Sequence, residues 1–241
     1  MLIAQLTDIH AAPDNDNMAR LHQVINWLIT VKPDLLVVTG DLTDNGWYEG
    51  YRAIETELQR VKCRYLVLPG NSDNKQMMRD CLQEAMHWRS DAALHFSEIV
   101  NGIPVIGIDT TIEGEARGDI TRHLKWLATE LDKSPQPALL FMHHPIFRCG
   151  IAPLDDFNCE GATALGQLIA SSTPPLAICS GHVHRSMAAM IAGVPSYICG
   201  SVCPANPLIL DNQRIPPVTD PAALMMHDLR RGYLASSHIS V

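Results

Sequence analysis

Short, nearly unbroken apolar runs punctuate this chain, and several of them end in polar loops that carry Asp, Asn or His. Residues 2–7 run through Leu2, Ile3, Ala4 and Leu6 to Asp8, residues 35–38 read Leu-Leu-Val-Val before Gly40, and residues 65–68 lead into Pro69-Gly70. Runs of this length without polar alternation are expected of strands buried on both faces. Between them the period changes. Met18, Leu21, Val24, Ile25 and Leu28 fall on one helical face over residues 17–31, ahead of Pro33, and Tyr51, Ile54 and Leu58 do so over residues 48–61. A further helix is expected over residues 75–87.

Residues 95–100 and 105–108 flank Asn101-Gly102 and read as paired strands. A helix over 121–131, strands over 138–142 and 176–179, and a hairpin of 187–191 with 196–199 turning at Gly193 complete the pattern. Strands alternating with helices early and hairpins late predict an α/β fold with mixed sheets and helices outside. Residues 204–221, rich in Pro and Asn, read as a loop rather than a linker. At 241 residues and 46% hydrophobic content the chain can bury one sizeable core, so a single domain over 1–241 is expected.

Charge narrows the partners. With 18 basic against 26 acidic residues and a formal charge of −8, the chain lacks the cationic block that general nucleic-acid binding needs. Its opening residues meet Asp8 too early for a signal peptide or membrane anchor, and no apolar run approaches the roughly 20 residues of a spanning helix. A cytoplasmic location is expected. The seven cysteines have no CxxC spacing and read as buried thiols. Cys199 and Cys203 do not read as metal ligands, because no second Cys/His pair of finger-like spacing accompanies them.

Five polar clusters follow the apolar runs in order: Asp8-Ile9-His10, Gly40-Asp41, Gly70-Asn71-Ser72-Asp73, His143-His144-Pro145 and Gly181-His182-Val183-His184. Sheets of this class gather ligand sites at the carboxyl ends of their strands, so these clusters can converge. Oxygen and nitrogen donors collected in this way suit two divalent cations a few ångströms apart, an arrangement fitted to in-line attack on a phosphoryl group. A carboxylate can bridge two cations and an imidazole cannot, which makes Asp41 the bridge of such a pair. Isolated histidines (His22, His87, His95, His123, His227, His238) read as surface or core groups. Trp27, Trp88 and Trp126 read as core, whereas Trp47 follows the Asp41 loop and is expected to overlook the site.

In residues, order and spacing these clusters resemble the calcineurin-like metallophosphoesterases, whose pattern is D-x-H, G-D, G-N-H-D/E, H and G-H-x-H. The resemblance spans Asp8 to His184, and the wording around Met142-His143-His144-Pro145 is most similar to the bacterial cyclic-nucleotide and glycerophosphodiester phosphodiesterases. It implies a four-layer αββα sandwich of two mixed β-sheets flanked by helices. It also implies a site in which Asp8, His10 and His184 hold one metal ion and Asn71, His143 and His182 the other, with Asp41 between them. The ions would be Mn, Fe, Zn or Co. The implied substrate is a small phosphodiester, attacked by hydroxide from a water whose pKa the two cations lower. The resemblance also admits a homodimer or larger assembly, with residues 200–221 as a rim of the site or a subunit contact.

One position departs from the pattern. Ser72 stands where the family has the His of G-N-H-D/E, a residue that contacts the substrate phosphate and helps the leaving oxygen depart. A serine hydroxyl donates a hydrogen bond but has no titration near neutral pH, so general-acid help from this position is lost. His144 is a candidate substitute, and Asp73 a candidate to orient the ligands. The alternative to a working diesterase is a metal-binding pseudo-enzyme or nucleotide-binding regulatory protein.

Overall fold

The continuous apolar runs become strands covered on both sides. Residues 1–83, 87–88, 93–209, 215 and 217–241 of the computed structural model are described. In chain order the first half is β1 (Leu2–Leu6), α1 (Asn17–Val31), β2 (Leu35–Thr39), α2 (Tyr48–Gln59), β3 (Arg64–Leu68), α3 (Lys75–Cys81), β4 (Phe96–Val100) and β5 (Ile103–Ile108). Then follow β6 (Gly118–Asp119), α4 (Leu124–Lys133), β7 (Leu139–Met142), α5 (Ala152–Asp155), β8 (Cys159–Glu160) and α6 (Ala162–Ser171). The chain ends with β9 (Ala177–Ser180), β10 (Met187–Ile191), β11 (Val194–Ile198), β12 (Ala223–Asp228) and β13 (Ala235–Ser240).

Two mixed sheets carry the molecule, in the orders β13-β12-β1-β2-β3 and β10-β11-β9-β7-β5-β4. Strands β1, β2 and β3 are parallel, as are β5, β7, β9 and β11, and the antiparallel strands lie toward the edges. The alternation within each run explains the layers. Ile3, Leu35, Val37, Leu66 and Leu68 face Phe96, Val105, Leu139, Phe141 and Cys179 between the sheets. Their neighbours Ala4, Leu6, Leu36, Val38 and Val67 face α1 and α2. On the far side Ile106, Ile108, Leu140 and Met142 pack on α4 and α6 through Leu127, Leu131, Leu165 and Ile169. This is the expected four-layer αββα sandwich.

Several boundaries differ from the pattern. Helix α3 is capped by the Asn74 side chain accepting from Met77 N–H at 3.0 Å and ends at Cys81, short of the expected His87; residues 84–86 lie outside the described set. The helix expected over 121–131 opens with a 3-10 turn, Thr121–His123, because Asp119 accepts from the Thr121 N–H and hydroxyl ahead of it. Helix α6 and the hairpin β12–β13 had no range assigned. Of the expected loop over 204–221, residues 210–214 and 216 lie outside the described set. No helix of the described residues is long and apolar enough to cross a membrane.

Candidate metal centre

All five polar clusters leave the carboxyl ends of parallel strands: β1, β2 and β3 in one sheet, β7 and β9 in the other. Polar groups between the sheets hold the two sets of ends together. The buried Gln5 amide donates to Thr39 Oγ1 at 3.0 Å and to the Ser180 carbonyl at 3.1 Å, crossing from one sheet to the other. Beyond the strand ends the backbone turns sharply. Asp8, His10, Asp41, His182 and His184 all adopt positive φ, between 48° and 71°. For non-glycine residues this conformation is strained, and its concentration here marks a site whose geometry outweighs local preference. Glycine is required where the loops touch. A Cβ on Gly70 would run into the Asp41 carboxylate, and one on Gly181 would meet the Thr7 hydroxyl, with Asp8 Oδ2 at 2.8 Å.

The loops bring the donors together. Asp8, His10, Asp41 and His184 have ligand atoms within 4.8 Å of one another. His10 Nε2 lies 3.2 Å and His143 Nε2 3.3 Å from the same Asp41 oxygen, Oδ2, so this carboxylate stands between two groups of donors. On the first side His184 Nε2 is 3.5 Å from Asp8 Oδ1 and 3.1 Å from His10 Nε2. On the second, Asn71 Oδ1 lies 3.1 Å from His143 Nε2 and 2.9 Å from His182 Nδ1. Among the described residues the His182 Nε2 atom is buried without a hydrogen-bond partner. Facing imidazole nitrogens, two carboxylates and an orphaned buried nitrogen form a donor set that fits divalent cations.

The surroundings orient these donors. A carbonyl only accepts, so His143 carries its proton on Nδ1, donated to the Thr39 carbonyl at 2.7 Å, and presents Nε2 to the cluster. His10 Nδ1 lies 2.6 Å from Asp44 Oδ1, which selects the same tautomer. The Asp8 carboxylate accepts from the His182 N–H at 2.9 Å, and Asp41 Oδ1 from the Ser72 N–H at 2.8 Å. Asp73, expected to orient the ligand imidazoles, instead has loop backbone and a tyrosine as its hydrogen-bond partners. Its carboxylate accepts from Gly70 N–H, Leu42 N–H and the Tyr51 hydroxyl, tying the β2 and β3 loops together.

Electrostatics follow from burial and proximity. Burial opposes the imidazolium at His10, yet the Asp41 and Asp44 carboxylates overcome it and push the pKa up to about 12. At His143 burial likewise yields to Asp41, giving a rise to about 9. Burial opposes ionisation of Asp41, and His143 and His10 outweigh it, holding the carboxyl well below its ordinary range. Burial and the charge of His143 press His182 down to about 4, leaving it neutral. Without metal, protons on His10 and His143 therefore balance the carboxylates.

Ser72 is held at the site by its backbone, and its Oγ is buried with no partner among the described residues. His144 is different: its Nδ1 meets Thr110 Oγ1 at 2.9 Å and its Nε2 the Ala116 carbonyl at 3.1 Å, so both ring nitrogens are engaged by the loop over 110–118. Trp47, expected to overlook the site, lines a cleft of about 610 Å³ with Asp44 and Tyr48 that has none of the candidate ligands in its walls. A second cleft, of about 410 Å³, is lined by Asn71, Asp73, Lys75, Arg79 and the turn at Thr111 to Gly114. The isolated histidines lie elsewhere; His87 contacts Val67, His95 pairs with His123, and His227 sits between Ser236 and Gln5.

The sequence reading does not single out Asp44 or Cys203, which lie against the Nδ1 atoms of His10 and His184. Asp44 carries a usable signal, since it follows Asp41 by three residues in a polar turn. Cys203 carries none, because its neighbour in space, His184, is remote from it in pattern and the intervening strands set the contact.

Comparison with known proteins shows the family and the fold. Residues 1–186 match the calcineurin-like phosphoesterase family. A probable glycerophosphodiester phosphodiesterase from Arcobacter nitrofigilis is 32% identical over 77% of this chain and 72% of its own. A cAMP/cGMP dual specificity phosphodiesterase from Mycobacterium tuberculosis is 29% identical over 81% of this chain and 62% of its own. Among solved structures, a dimetal phosphatase from Danio rerio superposes with a TM-score of 0.77 over 99% of this chain and 95% of its own, at 13% identity, a likeness of fold.

Proposed function

We propose that this chain, which belongs to the calcineurin-like phosphoesterase family, is a metal-dependent phosphodiesterase that hydrolyses small phosphodiesters, of the glycerophosphodiester or cyclic-nucleotide kind. In this reading Asp8, His10 and His184 would hold one cation and Asn71, His143 and His182 the other, with Asp41 placed between the two groups of donors. The observation that carries this reading is the Asp41 oxygen shared between His10 and His143 at 3.2 and 3.3 Å. Bound there, two divalent cations supply Lewis acidity and a nucleophile drawn from water. Mn, Fe, Zn and Co all suit this mixed nitrogen and oxygen set.

The chain's own residues do the rest. Thr39 and Asp44 fix the His143 and His10 tautomers, Asp73 holds the β2 and β3 loops in register, and the Ser72 N–H holds the Asp41 carboxylate in place. The cleft beside Asn71 offers room for an ester arm. The seven cysteines are free, which suits a reducing compartment such as the cytoplasm.

The test is metal content by elemental analysis, together with rates on an activated aryl phosphodiester, a glycerophosphodiester and a cyclic nucleotide. Two metal equivalents and turnover that Asp41→Ala abolishes are expected. Full metal loading with no turnover of any of the three would overturn the reading and leave a binding pocket.

A further inference from the structure

Three of the imidazoles at the centre turn Nε2 toward it, and each has its Nδ1 against a group behind. For His143 that group is the Thr39 carbonyl, at 2.7 Å, and for His10 the Asp44 carboxylate, at 2.6 Å. For His184 it is a sulfur: Cys203 Sγ lies 3.2 Å from His184 Nδ1. The thiol hydrogen has its own acceptor in the Pro204 carbonyl, at 3.6 Å, so the sulfur lone pairs are left to accept from the ring N–H. The backbone holds this sulfur in position. Cys203 N–H donates to the Asp8 carbonyl at 2.9 Å, and its carbonyl accepts from Ser201 Oγ at 2.8 Å. Arg20 on α1 donates to the Val202 carbonyl at 2.6 Å and to the Cys203 carbonyl at 3.3 Å. Cys203 is itself only 3% exposed.

We propose that Cys203 is a positioning residue for the first metal site, its thiol sulfur accepting the Nδ1–H of His184 and thereby fixing the ring that presents Nε2 to the cation. This rests on the assignment of His184 as a ligand. A buried imidazole N–H without an acceptor is costly, and removal of the group behind a metal-bound histidine commonly weakens metal affinity by about 10- to 100-fold. A thiol is a weaker acceptor than a carboxylate. His10 and His184 therefore bind the same cation with unequal support, His10 braced by a charge and His184 by a neutral sulfur.

The experiment titrates metal-free full-length protein with Co²⁺, following the visible absorption of each bound equivalent, for the wild type, Cys203→Ala, Cys203→Ser and Cys203→Asp. In Cys203→Ala one of the two equivalents is expected to weaken by about 10- to 100-fold, with a changed spectrum, while the other keeps wild-type affinity. Cys203→Ser, which retains an acceptor in nearly the same volume, recovers part of the loss, and Cys203→Asp recovers more. Two equivalents bound by Cys203→Ala with wild-type affinity and spectrum would overturn the inference alone. Equal weakening in the Ala and Ser variants, or weakening of both equivalents together, would reduce Cys203 to a packing residue and overturn it too. A wild type that binds no Co²⁺ would instead remove the metal assignment on which it stands.

Discussion

Asp41 is where one atom carries the most consequence, because its Oδ2 is common to both halves of the donor set. Asp41→Ala should lose both metal equivalents, not one, while Asn71→Ala should lose chiefly the second; elemental analysis after dialysis separates the two. The protons on His10 and His143 give a second expectation. Both groups are raised above neutral pH without metal, so binding at pH 7 must displace their protons, and affinity should climb as pH rises toward about 9, read by metal titration across that range with proton release in an unbuffered sample. Ser72 sets a third. It has no acid to offer, so Ser72→His should raise turnover of alkyl diesters, which leave poorly, by about 10²- to 10⁴-fold and change the activated aryl substrate far less. An equal effect on both substrates would show that leaving-group protonation is not what this position lacks.

At the scale of elements, the site depends on strands that are invisible to its chemistry. Phe141 on β7 is fully buried between the sheets, directly before the residues that carry His143. Phe141→Ala should cost about 3–5 kcal/mol in a urea melt and should loosen the β7 end enough to lower metal affinity. The contact between loops is as exacting. Gly181→Ala would drive a methyl into the Thr7 hydroxyl beside Asp8, and the turn that delivers His182 and His184 must then shift. Its metal content should fall although neither ligand is changed. The strands themselves and the 17–31 helix were legible because their apolar periods differ. The 3-10 turn before α4 was not, because the Asp119 side chain decides it locally, and no residue pattern marked the end of α3 or the two-residue strands of the β6–β8 pair.

For the whole molecule, the polar groups enclosed between the sheets make stability depend on pH. His227 is buried against Gln5 and Ser236, and burial lowers its pKa to about 4 from the ordinary 6.5. The unfolded chain then takes up the proton that the folded chain refuses, so stability rises with pH between about 4 and 6.5 and is lost as pH falls through that window, by on the order of 3 kcal/mol for this group. Urea melts at pH 7 and pH 5 should show the loss, and His227→Gln should reduce it. The sequence by itself determined the layers and the candidate donors: strands buried on both faces read as unbroken apolar runs, and the Asp, Asn and His side chains that follow them supply the oxygen and nitrogen atoms the strand ends bring together. Tertiary structure alone decided how those donors are held. The positive φ values, the glycine contacts, the Asp44 brace on His10 and the Cys203 sulfur behind His184 arise where separate strands and loops meet, and residues joined only by that meeting leave no spacing to read along the chain.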